Sequence, residues 1–243
     1  MKKFVTIGII IAILINSAAA YAETFTIALF DLSGSVLTDS TGSDSKESPF
    51  SRNMAELKNE INKLGKNDTI IVIGFGRKSS VTLLKATMPR QSGAGNQNLI
   101  LTRKAAFKKF EENLASRSKS IDGTRTDVIG SLLRVSRFIE ESNLPEGTQR
   151  RIIIFSDMVD NETLGMSFKR ISKNSKCVTE SIEKRNLEYP NLKGVDVIIY
   201  SAFSDVKGVS TVDTELAIKN LKAFWIGYFS KCGSAVKLYK TNY

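Results

Sequence analysis

The sequence predicts an α/β fold: a doubly wound, mostly parallel sheet with helices on both faces and one antiparallel edge strand. Two observations support this fold class. Apolar runs of strand length alternate with segments of helical periodicity, and the central apolar runs are continuous, without polar residues at every second position. Strand–helix alternation and continuous apolar strands are typical of a parallel sheet that is buried on both faces.

The first strand is predicted at Thr24–Phe30, which is apolar and ends at an acidic residue. A polar stretch at 36–48 has no apolar periodicity and is expected to be a long loop. Apolar residues at helical spacing then predict a helix over Met54–Leu64, which Gly65 would end. The apolar run Thr69–Ile73 predicts a buried strand.

The next elements continue the alternation. Val81–Ala86 is expected to be an edge strand, and Leu99–Leu114 a basic amphipathic helix. A second polar loop at 116–125 leads into a helix that begins near Val128 and has Val128, Leu132, Val135 and Ile139 on one face. Arg151–Phe155 is the next continuous apolar run and predicts another buried strand.

Three or four elements complete the chain. A helix is expected over about Ser175–Lys184, followed by a strand at Val195–Tyr200. The last helix has Ala217, Leu221, Phe224, Trp225 and Tyr228 at positions that share one face. Val236–Tyr239 could form a closing strand.

Two acidic residues follow directly on predicted strands. Asp31 ends the first strand, and Asp157 lies just beyond the strand that ends at Phe155. In a doubly wound sheet, ligands bind at the carboxyl ends of strands whose connections diverge to opposite faces. We therefore expect Asp31 and Asp157 to lie near each other at this edge of the sheet.

Hydroxyl side chains accompany these acids. Asp31-x-Ser33-x-Ser35 can present three oxygens from one turn, the loop before the Val128 helix offers Thr126, and Asp157 adds a further carboxylate. Five hard oxygen ligands suit a divalent cation that keeps some of its water. The chain has no histidine, and two cysteines cannot form a thiolate zinc site, so a metal site has to be mainly oxygen-ligated.

Together these segments resemble the von Willebrand factor A family. The metal-ion-dependent adhesion site of that family combines D-x-S-x-S, a Thr in a following loop and an Asp that ends a later strand. Asp31, Ser33 and Ser35 match the first motif, Thr126 in "GTRTDVIGSLL" the second, and Asp157 in "IIIFSDMVDN" the third. The resemblance covers nearly the whole chain after residue 22 in element order.

The resemblance implies a Rossmann-like fold and a cation, Mg²⁺ or Mn²⁺ before Ca²⁺, held by those five residues. It also implies that an acidic group of a partner protein fills the open position of the cation. One departure is Met158, since the family often has Gly after the last Asp. The loop after Ser35 is also unusually long.

Simpler interpretations exist for the same residues. Asp31 and the two serines could form a turn that binds backbone amides. Thr126 could be the N-cap of the following helix, with Asp127 as a charge in its first turn. Thr124 would then be the alternative ligand.

The N-terminus has the pattern of a secretory signal peptide. Lys2 and Lys3 precede the apolar stretch Phe4–Ile15, and Ala20-Tyr21-Ala22 provides a cleavage site before Glu23. Residues 1–22 are therefore expected to be removed, which leaves 23–243 as a single domain without a stable membrane span. The short basic start is typical of bacteria and indicates a periplasmic or extracellular protein.

The chain is basic, but its basic residues are dispersed. Removal of residues 1–22 takes two lysines and no acidic residue from a formal net charge of +10, which leaves +8. No long basic block with interleaved aromatic residues occurs, which favours an ordinary solvated basic surface over a nucleic-acid interface. Cys177 and Cys232 could form a disulfide after export, although the helix assignment separates them by roughly 15–20 Å.

Two classes of function fit these features. The first is an exported binding module that takes an acidic group of a partner protein on its cation. The second is a Mg²⁺- or Mn²⁺-dependent hydrolase in which Asp157 or Asp127 activates a metal-bound water. Hydroxyl ligands make a less crowded site than the carboxylate clusters common in metallohydrolases, which favours the binding module.

Overall fold

The computed structural model describes residues 23–34, 48–90, 96–173, 177–201, 203 and 210–241. Among these residues there are six strands and six α-helices. The strands are β1 (Thr24–Asp31), β2 (Thr69–Phe75), β3 (Ser80–Thr87), β4 (Gln149–Phe155), β5 (Val195–Ser201) and β6 (Ala235–Thr241). The helices are α1 (Pro49–Lys63), α2 (Gln97–Arg117), α3 (Val128–Glu141), α4 (Phe168–Lys173), α5 (Cys177–Arg185) and α6 (Thr211–Lys231).

The described strands form one sheet in the order β3-β2-β1-β4-β5-β6. Neighbouring strands are parallel except at one edge, where β3 runs antiparallel to β2. The central strand β1 pairs with β2 and β4, and Ile27 lies opposite both Ile71 and Ile152. This arrangement confirms the predicted fold class, including the antiparallel edge strand.

The chain changes direction across the sheet at β1. From β1 it proceeds to β2 and β3 on one side, and it then returns to add β4, β5 and β6 on the other. The carboxyl ends of β1 and β4 are therefore adjacent, and the connections that leave them diverge. This is the position at which doubly wound sheets bind ligands.

Each face of the sheet buries its own apolar core. Ile27 and Leu29 of β1 face one side, where they belong to a cluster with α3 and α6, including Leu132 and Trp225. Ala28 and Phe30 face the other side and pack with α1 and α2. Alternate residues of β1 are thus buried on opposite faces, which explains why the strand is continuously apolar.

Local signals explain where several helices begin. The Ser48 side chain accepts a hydrogen bond from the Ser51 amide, and Pro49 occupies the first turn of α1. The Ser210 side chain accepts one from the Asp213 amide at the start of α6. The sequence did not predict α4, whose six residues are too few to show a helical period.

Two sequence-based interpretations fall on residues outside those described. They are the signal peptide at 1–22 and nearly all of the polar loop at 36–48, of which only Ser48 is described. Within the described part of the chain, no helix is long and apolar enough to cross a membrane.

Candidate functional site

Asp31 is the last residue of β1 and is fully buried. Its Oδ1 accepts a hydrogen bond of 2.8 Å from the Ser33 amide, which gives the turn that the simpler interpretation proposed. Its Oδ2 accepts a hydrogen bond of 2.6 Å from Ser156 Oγ, just beyond β4. The turn is therefore present, but the second oxygen also joins the ends of two neighbouring strands.

Asp157 lies one residue further along and is 7% exposed. Its Oδ1 accepts a hydrogen bond of 2.9 Å from the Val159 amide, so both strand-end acids bind the amide two residues ahead. Burial and, secondarily, the charge of Asp157 raise the pKa of Asp31 to about 7. The two carboxylates are thus close enough for their charges to interact, as the sequence predicted. Both are also more buried than a simple surface turn requires.

Of the two serines in the Asp31-x-Ser33-x-Ser35 motif, the structure describes only Ser33. Ser33 is buried and contacts Asp31 through both its amide and its side chain. Ser35 lies outside the described residues, so its role stays a prediction.

The loop that contains Thr126 is attached to both strand ends. Thr126 is 1% exposed; its amide donates to Asn161 Oδ1 at 2.8 Å, and its carbonyl accepts from the Glu162 amide at 3.1 Å. Further back in this loop, the Gly123 carbonyl accepts from the Gly34 amide at 2.8 Å. A Cβ at Gly123 would approach the Leu32 carbonyl oxygen to 2.7 Å, so only glycine permits this contact.

The helix N-cap is Asp127, not Thr126. Asp127 Oδ1 accepts hydrogen bonds from the Gly130 amide at 2.9 Å and from Thr163 Oγ1 at 2.8 Å. The N-cap interpretation of Thr126 is therefore wrong, because the next residue fills that position. Thr124, the alternative ligand, is exposed and donates to Asp122 Oδ1 at 2.5 Å.

Asp160 is a buried acid that the sequence analysis did not single out. Its Oδ2 accepts from the Ile129 amide at 2.9 Å, and its Oδ1 accepts from the amides of Thr163 at 2.8 Å and Leu164 at 3.0 Å. Burial raises the pKa of Asp160 to about 6. Asp160 therefore ties the segment after Asp157 to the first turn of α3, next to Thr126.

Met158 has an unusual backbone conformation for its residue type. Its φ of 62° lies in the left-handed region that favours glycine, yet its side chain is fully buried in the core under the sheet. Its amide donates to Ser156 Oγ at 3.0 Å, and its carbonyl accepts from Trp225 Nε1 at 2.9 Å. Met158 therefore adopts a backbone conformation that favours glycine, while its buried side chain packs in the apolar core.

A group of basic residues lies next to the Thr126 loop. Arg77, Lys78 and Arg125 each form an ion pair with Glu162, at 3.2, 3.3 and 3.3 Å respectively. The sequence provided no signal for this group, since the dispersed charges meet only after folding.

Cys232 is a free, buried thiol at the C-terminal end of α6. Burial raises its pKa to about 12. Because the chain has only one other cysteine, the bridge to Cys177 that the sequence allowed is not formed in this structure.

No protein-family model matches the chain, and no curated protein matches its sequence. Many solved structures are similar to it, and three of them illustrate the likeness. A von Willebrand factor type A protein from Catenulispora acidiphila is 12% identical with a TM-score of 0.48, and the match covers 90% of this chain and 39% of that one. Manganese-loaded TRAP protein of Plasmodium vivax is 17% identical with a TM-score of 0.36, covering 81% and 62% of the two chains. The VWA domain of SpRpn10 is 11% identical with a TM-score of 0.41, covering 91% and 89%.

The chain therefore spans less than two thirds of the length of the first two of these proteins. At such low identities the likeness concerns the fold alone.

Proposed function

We propose that the protein is a metal-dependent protein-binding module of the von Willebrand factor A type, in which Mg²⁺ or Mn²⁺ takes an acidic group of a partner protein. The observation that carries this proposal is the pair of buried carboxylates, Asp31 and Asp157, at the adjacent carboxyl ends of β1 and β4, where the chain changes direction across the sheet. Ligands of doubly wound sheets bind at this position.

The residues present fit a hard divalent cation. Two carboxylates that are buried together lose hydration and also repel each other, which is why the pKa of Asp31 rises to about 7. A cation between them would offset both costs. Among the described residues, no group of three or more acidic, cysteine or histidine side chains could hold a metal, so hydroxyl oxygens would complete this set.

The proposed ligands are Asp31, Ser33, Thr126 and Asp157, with Ser35 added from the sequence motif alone. When bound, the cation would supply an electrophilic position for an external carboxylate. The chain holds the ligand-bearing segments by the contacts described above: Ser156 with Asp31, Asn161 with Thr126, and Asp160 with the start of α3.

Export and domain organisation are part of the same proposal. Residues 1–22 have the pattern of a signal peptide, and residues 23–243 are proposed to form one domain. All six described strands belong to one sheet, which supports the single domain. The proposed location is the periplasm or the extracellular space of a bacterium.

The hydrolase alternative has less support. One of its two candidate bases, Asp127, caps α3, accepts from Thr163 and lies 3.8 Å from Arg134 Nη1. These contacts assign Asp127 a structural role. A phosphatase screen with Mg²⁺ and Mn²⁺ tests the alternative directly, and metal-dependent turnover that Asp157→Asn abolishes would replace the binding module as the proposed function.

Calorimetric titration with Mg²⁺ and Mn²⁺ tests the proposal. The purified protein should take up one ion per chain, and Asp31→Ala and Asp157→Ala should abolish uptake. The matched control is Asp68→Ala, because Asp68 is also buried but binds the Thr24 amide at the opposite end of β1. Failure of the unaltered protein to take up either ion would contradict the metal site.

A further inference from the structure

Three basic side chains surround one acidic side chain beside the candidate metal site. Arg77 Nε and Arg125 Nη1 lie 3.2 and 3.3 Å from Glu162 Oε2, and Lys78 Nζ lies 3.3 Å from Glu162 Oε1. We call Arg77, Lys78 and Arg125 the basic cluster. Two of its members come from the turn between β2 and β3, and the third comes from the loop before α3.

The acidic residue lies beneath the basic ones. The Glu162 side chain is 6% exposed, whereas those of Arg77, Lys78 and Arg125 are 45%, 74% and 53% exposed. Although burial opposes the effect, Lys78 and Arg77 lower the pKa of Glu162, so it stays charged. The surface that a partner would meet is therefore formed by the cations.

The described ion pairs of the cluster leave an excess of positive charge. Besides Glu162, they include one other acid, Asp122, whose Oδ2 lies 3.9 Å from Arg77 Nη1. Three cations thus face two carboxylates. Exposed cations in this arrangement attract further carboxylates, and guanidinium groups bind them with two parallel hydrogen bonds.

The basic cluster borders the proposed ligand Thr126. Arg125 precedes Thr126 in the chain, and the Glu162 amide donates to the Thr126 carbonyl at 3.1 Å. The Arg77 amide also donates to the Asp122 carbonyl in the same loop at 2.8 Å. A partner segment with one acidic side chain on the cation would therefore extend over the cluster with its flanking residues.

We propose that the basic cluster is a second anchor, and that the preferred partner segment carries at least one more acidic residue beside the one that reaches the cation. This inference rests on the proposed function, because it assumes that a partner binds at the Thr126 edge. A protein fits better than nucleic acid or an anionic membrane, since those polyanions are normally bound by many more cations.

Fluorescence anisotropy with two labelled Gly-Ser peptides tests the inference. One peptide carries a single aspartate and the other carries four. In the presence of Mg²⁺ the four-aspartate peptide should bind more tightly, and Lys78→Gln should weaken its binding by roughly fivefold, as expected for loss of one favourable exposed charge contact. The single-aspartate peptide should be affected much less.

Glu162→Gln should have the opposite effect. It removes the negative charge beneath the cluster, so the four-aspartate peptide should bind roughly fivefold more tightly. A purely structural role of the cluster would instead predict no change or a loss. Thermal unfolding of each variant shows whether it is folded, and Lys78→Gln leaves two cations paired with Glu162.

The α2 pair Lys108 and Glu112 provides matched controls, since its Nζ–Oε1 distance is 3.9 Å and Lys108 is 78% exposed. Lys108→Gln and Glu112→Gln make the same changes in net charge away from the cluster. The inference is overturned if Lys78→Gln binds like Lys108→Gln, or if the unaltered protein binds neither peptide. It is also overturned if phosphatidylglycerol vesicles bind through Lys78 while the peptides do not.

The same measurements separate this inference from the metal proposal. Loss of peptide binding on chelation and in Asp31→Ala, with no effect of Lys78→Gln, supports the metal site and overturns the second anchor. Binding of the unaltered protein that chelator does not weaken, but that Lys78→Gln does weaken, supports the anchor and contradicts the metal proposal.

Discussion

Ser156 Oγ donates a hydrogen bond of 2.6 Å to Asp31 Oδ2, and this bond joins the carboxyl ends of two adjacent parallel strands. The same Ser156 oxygen accepts from the Met158 amide at 3.0 Å. One hydroxyl therefore orients the buried carboxylate and shapes the turn that carries Asp157. Because this carboxylate is fully buried, the free energy of unfolding without a cation depends on whether Asp31 is charged.

Asp31→Asn should stabilise the protein in chelator at about pH 8. Burial and Asp157 raise the pKa of Asp31 from 3.8 to about 7, so the native state favours its neutral form. Its contribution to stability is fully present below pH 3.8 and is lost as the pH rises through about 7. Asparagine stays neutral and can still accept from the Ser33 amide.

Urea denaturation in chelator between about pH 6 and pH 8 checks this expectation. The free energy of unfolding should fall across this range in the unaltered protein and stay nearly flat in Asp31→Asn. The gain at pH 8 should be on the order of 4 kcal/mol, from about 1.4 kcal/mol per pKa unit over the rise from 3.8 to about 7. An equal fall in both proteins would assign the pH dependence to other groups.

Asp160→Ala should lower the free energy of unfolding by about 3 kcal/mol, because three buried or partly buried amides lose their acceptor. The loss should be larger near pH 5 than at pH 8. Burial raises the pKa of Asp160 from 3.8 to about 6. Its contribution to the free energy of unfolding is therefore fully present below pH 3.8 and is lost as the pH rises through about 6.

Asp196→Ala is the control for Asp160→Ala, since its partner is the exposed Lys237 at 3.5 Å. It should cost less than about 1 kcal/mol, as exposed ion pairs do. Chemical denaturation of the two variants at both pH values decides the matter. Equal losses would mean that Asp160 does not hold the loop to α3.

Met158→Gly should be more stable than Met158→Ala by about 1 kcal/mol, the reverse of the usual order. Both variants lose the buried side chain, but only glycine adopts the φ of 62° without strain. Both should be less stable than the unaltered protein, because deletion of a buried Met side chain costs about 2–5 kcal/mol. Thermal unfolding ranks the stability of the two variants. If the alanine variant were more stable, the backbone at this position would not need the left-handed conformation.

Cys232 should resist thiol reagents in the native protein and react after denaturation. Its burial excludes the reagent and raises the thiol pKa to about 12, so little thiolate forms near neutral pH. Counting thiols with Ellman's reagent in denaturant, with Cys232→Ser as the control, also tests the bridge to Cys177. Two thiols per chain are expected, and none would require a disulfide.

The sequence by itself determined which segments along the chain form the strands and most of the helices, and it marked Asp31 and Asp157 as strand-end acids. Apolar periodicity is a local property of the chain, so it specifies which segments become strands and which face of a helix is buried. The parallel sheet then follows, because strands that alternate with helices return in the same direction.

Only the tertiary structure decided which groups surround the two acids. Ser156 lies 125 positions from Asp31, and Glu162 meets Lys78 and Arg77 from a segment more than 80 positions away. No local pattern records such pairings. Likewise, Asp127 and not Thr126 is the N-cap of α3, and the Thr126 amide binds Asn161 from the loop after β4. Hydrogen bonds and ion pairs across the carboxyl ends of the strands form only after the strands have brought those ends together, so they depend on the tertiary fold.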